Sequence, residues 1–211
     1  MKHFSLENLN HLSGRYRAQF INSITGAKSA NLIGTIAEDG QTNLAIFSSV
    51  VHIGSKPPLL GFVLRPTTVE RHTYHNIKAN SKFTLNHIHT DMIDKAHQTS
   101  AKYGREISEF DAVGLEEEYL KDCKAPFVKS SRIKIACQYK NEYLIEENGC
   151  RLVIGEITDV YFDENFQAHD GFLDISKSES IGILGSDAYV KMTMLNRFEY
   201  AEPGKQLEVK E

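Results

Sequence analysis

Apolar residues fall in short runs along most of this chain, several alternating with polar residues, and the runs have the length of strands rather than long helices. Asn31-Leu32-Ile33-Gly34-Thr35-Ile36-Ala37, then Glu38-Asp39-Gly40, then Thr42-Asn43-Leu44-Ala45-Ile46-Phe47 predicts two strands joined by a hairpin, with Asp-Gly supplying a turn position at positive φ. Pro57-Pro58 opens a further apolar run from Leu59 to Leu64, and prolines at the start of a strand leave its ladder intact. Further strands are expected over 82–88, 132–139, 141–146 and 151–162. Helical signals are fewer. Thr67 and Thr68 precede 69–78, where a threonine can cap the first turn and Arg71, His75 and Lys78 share one face. Asp91 opens a second helix running to Lys102, and 115–122 is a candidate third. Long strands with few helices between them predict a mainly β protein with flanking helices, either a β-barrel or a sandwich, rather than alternating βαβ units. No repeat or Pro/Gly-rich linker divides the chain, so 1–211 reads as a single domain.

Composition narrows the class. With 211 residues, 41% hydrophobic and 25% charged, the chain can close a sizeable core, which excludes a disordered tail, a collagen-like fibre and a small disulfide scaffold. No apolar stretch approaches the ~20 residues of a membrane helix. The first residues, Met1 to Asn8, have no apolar leader region and carry an early acid, which reads as the start of a cytoplasmic protein. Cys123, Cys137 and Cys150 form an odd set without a Cys-x-x-Cys pair, so reduced thiols are expected, with Cys137 packed in an alternating strand rather than acting as a nucleophile. The formal charge of −4 divides unevenly: 40–90 carries +4, from Lys56, Arg65, Arg71, Lys78 and Lys82 against Glu70, and the remainder −8. A basic segment in an acidic protein suits a local anionic ligand such as a phosphate, or else a solvated basic face, and argues against a nucleic-acid partner.

Several motifs fail on inspection. In Ser23-Ile24-Thr25-Gly26-Ala27-Lys28-Ser29 an alanine separates glycine from lysine, so the backbone nest of a P-loop is unsupported. Gly182-Ile183-Leu184-Gly185 lacks the Rossmann glycine spacing, and there is no Gly-x-Ser-x-Gly elbow. His72-x-x-His75 and His87-x-His89 each put two imidazoles on one face, but without a third ligand nearby, so hydrogen-bonding histidines are preferred and no metal is assigned. The junction after Leu64 remains. A strand there runs through Arg65-Pro66-Thr67-Thr68 into a helix start, combining unpaired N–H groups, the positive end of a helix dipole, two hydroxyls and Arg65, with Arg71 one turn on. Such a junction can hold a monophosphate, or can be a simple capped helix start.

Thr42 to Val51, Lys56-Pro57-Pro58-Leu59-Leu60-Gly61-Phe62-Val63-Leu64-Arg65-Pro66, Thr73-Tyr74-His75-Asn76-Ile77 and Phe83-Thr84-Leu85-Asn86 together resemble the flavin reductase-like family of FMN-binding split barrels, which includes flavoredoxins. Ala96 to Tyr103, Glu109-Phe110, Gly114-Leu115, Val153-Ile154-Gly155-Glu156-Ile157, and Leu184-Gly185 with Tyr189 continue the likeness in the family's order, over about 22–190. The resemblance implies a homodimeric FMN-binding split β-barrel that accepts electrons from NADH or NADPH as a transient co-substrate and delivers them to free flavin or an electron-acceptor protein. It implies that Asn43, Ala45, Ser48 and Ser49 line the isoalloxazine and ribityl chain, and that Arg65, Thr67, Thr68 and Thr73 receive the phosphate or ribityl hydroxyls. By the same likeness Ser100, Ala101 and Lys102 close the pocket, and Lys28 and Ser29 reach the flavin or the partner subunit from the loop before the first barrel strand. Hydride transfer through a flavin needs no protein nucleophile or base, so no catalytic residue is assigned. One departure stands out: where many reductases of the family carry a histidine before the Ile-Gly-x-Val strand, this chain reads Gly149-Cys150-Arg151-Leu152. An electron-relay FMN protein, reduced by a protein partner, is the alternative implied.

Overall fold

The computed structural model describes residues 1–210. In chain order the elements are α1 (Leu6–His11), α2 (Gly14–Ile24), β1 (Lys28–Ser29), β2 (Asn31–Ile36), β3 (Thr42–Phe47), β4 (Val51–Ser55), β5 (Pro58–Leu64), α3 (His72–Asn80) and β6 (Lys82–His87). There follow α4 (Ile93–Gln98), α5 (Glu109–Val113), β7 (Glu117–Glu118), β8 (Phe127–Val128), β9 (Ile133–Ile145), β10 (Cys150–Phe162), β11 (Ile181–Leu184) and β12 (Ala188–Lys191). Seven strands form one sheet in the order β3-β2-β6-β9-β10-β5-β4, with every neighbouring pair antiparallel.

The sheet curls round its own core. Ile33, Phe62, Phe83, Leu85, Cys137 and Val153, from five strands, meet inside it with Ile77 of α3. Four strands lie between β3, which carries Phe47, and β5, which carries Phe62, yet the two ring centroids are 5.1 Å apart across the interior. The two ends of the sheet therefore approach without pairing, which is a split barrel. Strand β2 is buried on both faces because a second core covers the outside: Leu32 of β2 and Leu44 of β3 pack there against Met92, Phe110 of α5, Val128 of β8 and Ile181 of β11. A one-residue slip of β2 would exchange Leu32 with Ile33 between two differently shaped cores, so its register is well specified. The described residues include no helix long and apolar enough to cross a membrane.

The hairpin read from Glu38-Asp39-Gly40 joins β2 to β3, with Gly40 at φ +90°. Other boundaries move. The strands expected over 132–139 and 141–146 are one strand, β9, because Lys140 is accommodated as a bulge: Ile154 pairs with Asn141 while Gly155 pairs with Tyr139. The helix expected from Asp91 to Lys102 is shorter, a 3-10 turn at Thr90–Met92 followed by α4. The stretch 115–122 is not helical; the helix lies upstream as α5, stopped by Gly114 at φ +65°, and β7 follows. The helix expected over 69–78 begins at His72, and neither Thr67 nor Thr68 caps it.

Candidate functional site

Three segments meet where β5 leaves the barrel. Arg71 occupies the cap position of α3 in an extended conformation, and its side chain makes no capping hydrogen bond. The first-turn N–H groups of His72, Thr73 and Tyr74 thus lack a side-chain cap at the positive end of a nine-residue helix. Arg71 Nε instead donates to Pro66 O at 3.4 Å, folding the 65–71 loop back over the helix start. Arg65 and Thr68 are exposed and Thr67 partly so, and Arg65 forms no ion pair among the described residues. Beneath the helix, Asn43 Nδ2 donates to Thr73 Oγ1 at 3.0 Å and to Thr35 Oγ1 at 3.3 Å, while Asn76 Nδ2 donates to the same Thr35 oxygen at 3.1 Å. This buried amide and hydroxyl set ties α3 to β2 and β3, and so fixes which way the helix N-terminus points.

The segment that bridges the split is held from both sides. Ser49 Oγ accepts from Val63 N and donates to Val63 O, each at 3.0 Å, fastening the 48–50 loop to β5. Ser29 Oγ donates to Val50 O at 3.4 Å and accepts from Asn31 Nδ2 at 2.9 Å, fastening the loop's other side to β1 and β2. Ala45 lies on the same face of β3 as Asn43, opposite Ile33 and half-buried, and Ser48 is similarly accessible.

A model of the flavin reductase-like domain matches residues 27–176. The chain belongs to the flavin reductase-like family. Among solved structures, a candidate flavin reductase with a split barrel domain from Shewanella frigidimarina is 47% identical, with a TM-score of 0.91 over 95% of this chain and 100% of that one. Flavoredoxin of Desulfovibrio vulgaris is 23% identical, with a TM-score of 0.69 over 84% of this chain and 91% of its own. An FMN-binding protein from Thermus thermophilus is 16% identical, with a TM-score of 0.66 over 82% and 92%. The last two likenesses speak for the fold alone, which is the mainly β split barrel with flanking helices that the sequence pattern and resemblance implied.

Within this flavin reductase-like barrel, Arg65, Thr67 and Thr68 lie on the loop that Arg71 folds back toward the α3 start, Thr73 stands in that helix's first turn bonded to Asn43, and Ser29 and Ser49 fasten the loop that carries Ser48. Two groups stand apart by their contacts. Lys28 Nζ donates to Asn22 O at 2.8 Å and Thr25 Oγ1 at 3.2 Å, placing its charge on the carbonyl end of α2. Ser100, Ala101 and Lys102 are exposed in the turn leaving α4, where Ser100 N and Ala101 N donate to His97 O and Gln98 O at 3.0 Å each. The paired histidines serve the fold: His87 Nδ1 is 3.0 Å from Ser180 Oγ, and His89 Nε2 is 3.1 Å from Ser130 O. Burial holds His87 down to about 4, so it is neutral at physiological pH. Among the described residues there is no cluster of three or more His, Cys, Asp or Glu able to hold a metal.

Uncapped backbone N–H groups, two threonine hydroxyls, and the Arg65 and Arg71 guanidiniums are donors of the kind that suit a phosphate monoester.

Glu109, part of the family likeness but without a role in it, has one in the fold. It is buried at the start of α5, and its carboxylate accepts from Leu44 N of β3 at 2.8 Å, capping the sheet's edge strand. Burial raises its pKa, opposed by two backbone N–H bonds and by the nearby His72. A folded pKa above the unfolded one contributes stability below the unfolded value, and this is lost as pH rises toward the folded value. The Glu109→Gln variant retains an acceptor for Leu44 but carries no charge. Its melting temperature relative to wild type is therefore expected to be higher at pH 7 than at pH 4; a difference that stays flat or reverses would refute the buried-charge cost.

Proposed function

We propose that this flavin reductase-like protein binds FMN with its phosphate at the N-terminus of α3, and acts as an oxidoreductase that takes hydride from NADH or NADPH and passes it to an acceptor. The observation that carries this reading is the uncapped α3 N-terminus beneath an arginine- and threonine-bearing loop, in a chain matched by the family model over most of its length. The bound flavin would supply the two-electron chemistry. The chain's own contribution is position and electrostatics. Arg65, Arg71 and the helix dipole neutralise phosphate charge, and Thr67 and Thr68 offer hydroxyl donors. Asn43 and Thr73 hold the helix end, and Ala45, Ser48, Ser49 and Ser29 form a low-relief wall along which a planar ring and its ribityl chain can lie. Lys28, Ser100, Ala101 and Lys102 would take part through a second copy of the chain or through closure of the exposed turn. Tyr16, Ile24, Val51 and Ile53 are large exposed apolar residues that support such a homodimer. Three free cysteines support a reducing, cytoplasmic setting. The whole chain is taken as one domain, built on the two cores that share β2.

Cys150-Arg151, standing where many reductases of the family have a histidine, favours a second reading in which a protein partner rather than nicotinamide reduces the flavin. Anaerobic addition of NADH or NADPH to the FMN-loaded protein separates them. Rapid bleaching of the flavin band, with turnover on adding free FMN, is expected; a band that persists through both additions would leave the electron-relay reading.

A further inference from the structure

We propose that Glu142 is a positioning residue for the flavin phosphate, setting the pitch of α3 from outside the barrel; this rests on the FMN reading above. Glu142 lies on the β9–β10 arm beyond the barrel wall, with its side chain only 14% exposed. One carboxylate oxygen accepts from Tyr74 of α3 at 2.8 Å and from Arg151 Nη1 of β10 at 2.9 Å. The other accepts from Tyr139 OH at 3.2 Å and lies 3.7 Å from Lys78 Nζ, which itself donates to Tyr139 at 2.8 Å. The Arg151 guanidinium also sits 5.5 Å from the centre of the Tyr74 ring.

Tyr74 and Lys78 are one helical turn apart, so both reach the arm from the same face of α3. Arg151 pairs with Leu64 across β10 and β5, the residue before Arg65. The next turn of chain closes the loop: the Pro66 ring packs beside Gly149. A single half-buried carboxylate thus joins the helix whose N-terminus would face the phosphate to the strand end and loop that would supply its arginine. Tyr74 belongs to the helix's first turn, and a change in its anchor would rotate the very N–H groups that the phosphate requires. The other fastening of that turn, Asn43 to Thr73, lies on the buried side. The two anchors hold neighbouring residues of the first turn, Thr73 and Tyr74, on different faces of the helix.

A structural brace and a phosphate-positioning residue differ in which ligand they affect. Flavin-free protein is titrated with FMN and with riboflavin, which has the same ring and ribityl chain but no phosphate, and flavin fluorescence is followed. Tyr74→Phe, nearly isosteric, and Glu142→Ala are expected to weaken FMN binding about three- to tenfold. Riboflavin affinity should hold, and Glu142→Gln, which keeps an acceptor toward Tyr74 and Arg151, should recover most of the loss. Equal weakening of both flavins, or unchanged FMN affinity in Tyr74→Phe with wild type still preferring FMN, would overturn the proposal while leaving the FMN reading standing. Wild-type protein that binds FMN no better than riboflavin would overturn the phosphate site itself, and this proposal with it.

Discussion

Gly34→Ala is expected to lower the melting temperature by about 10 °C, corresponding to a loss of about 3 kcal/mol, the upper part of the range for overpacking a tight core. Gly34 sits in β2, between the two cores. A methyl group there would fall 2.2 Å from Pro126 O and 2.6 Å from Thr84 Oγ1. Thr84 Oγ1 already donates to Pro126 O at 2.6 Å, so neither atom can withdraw without breaking that bond. Pro126 O is backbone, and the chain next to it supplies β8, whose Val128 N donates to Asn86 Oδ1 at 3.0 Å. Relief of the clash would therefore displace the β8 segment from the outer core. Gly40 gives a control for generic glycine loss, because it is held at φ +90° with nothing within 4 Å of an added methyl. Thermal melts of the two alanine variants should differ clearly, with Gly34→Ala far less stable; melting of Gly34→Ala within about 2 °C of wild type would mean that the outer core yields where the packing says it cannot.

Arg65→Ala should cost the protein most of its FMN affinity, by about 10- to 100-fold, the range for a charge-assisted hydrogen bond to a phosphate. Arg65 is exposed and unpaired among the described residues, so its loss removes no fold-supporting contact and stability should barely change. Lys129→Ala removes the same charge from a distant part of the surface. Lys129 Nζ lies 2.5 Å from Glu116 Oε2 and is likewise exposed, so FMN affinity should stay within about twofold, since a remote exposed charge is strongly screened. Fluorescence titration at constant ionic strength reads both variants. Matched affinities for the two would remove Arg65 from the phosphate site.

The strands were legible wherever one face had to be buried. Asn31 to Phe47 announced its hairpin through the alternation and Asp-Gly, and Pro58 to Leu64 through its apolar run. Lys140-Asn141 looked like a break because a bulge has no marker beyond two polar residues, and only the partner strand shows that pairing resumes. The helices α1 and α2 went unread because neither buries a residue, which leaves no apolar stripe to find. At the site, Arg65 and the threonines could be placed by the strand-to-helix junction, but the helix start was drawn three residues early. Threonine is a good cap in general; here Arg71 turns back to Pro66 and leaves the cap unfilled, a choice set by tertiary contact rather than by local preference. Thr73 and Asn76 entered only through the family likeness, because their shared partner Thr35 lies on a strand far away in sequence, reached by Asn76 directly and by Thr73 through Asn43. Glu109 belonged to the family likeness, but its role was not legible, since nothing in a lone glutamate tells that its acceptor will be spent on an edge strand's N–H.

In the proposed function, this flavin reductase-like barrel holds FMN by its phosphate at the start of α3. The measurement that meets it most directly is the visible absorption spectrum of the freshly purified protein, repeated after incubation with FMN and desalting, with mass identification of the chromophore released on denaturation. A flavin spectrum and the mass of FMN are expected. A protein that remains colourless after incubation, or that releases a chromophore lacking the phosphate, would contradict it.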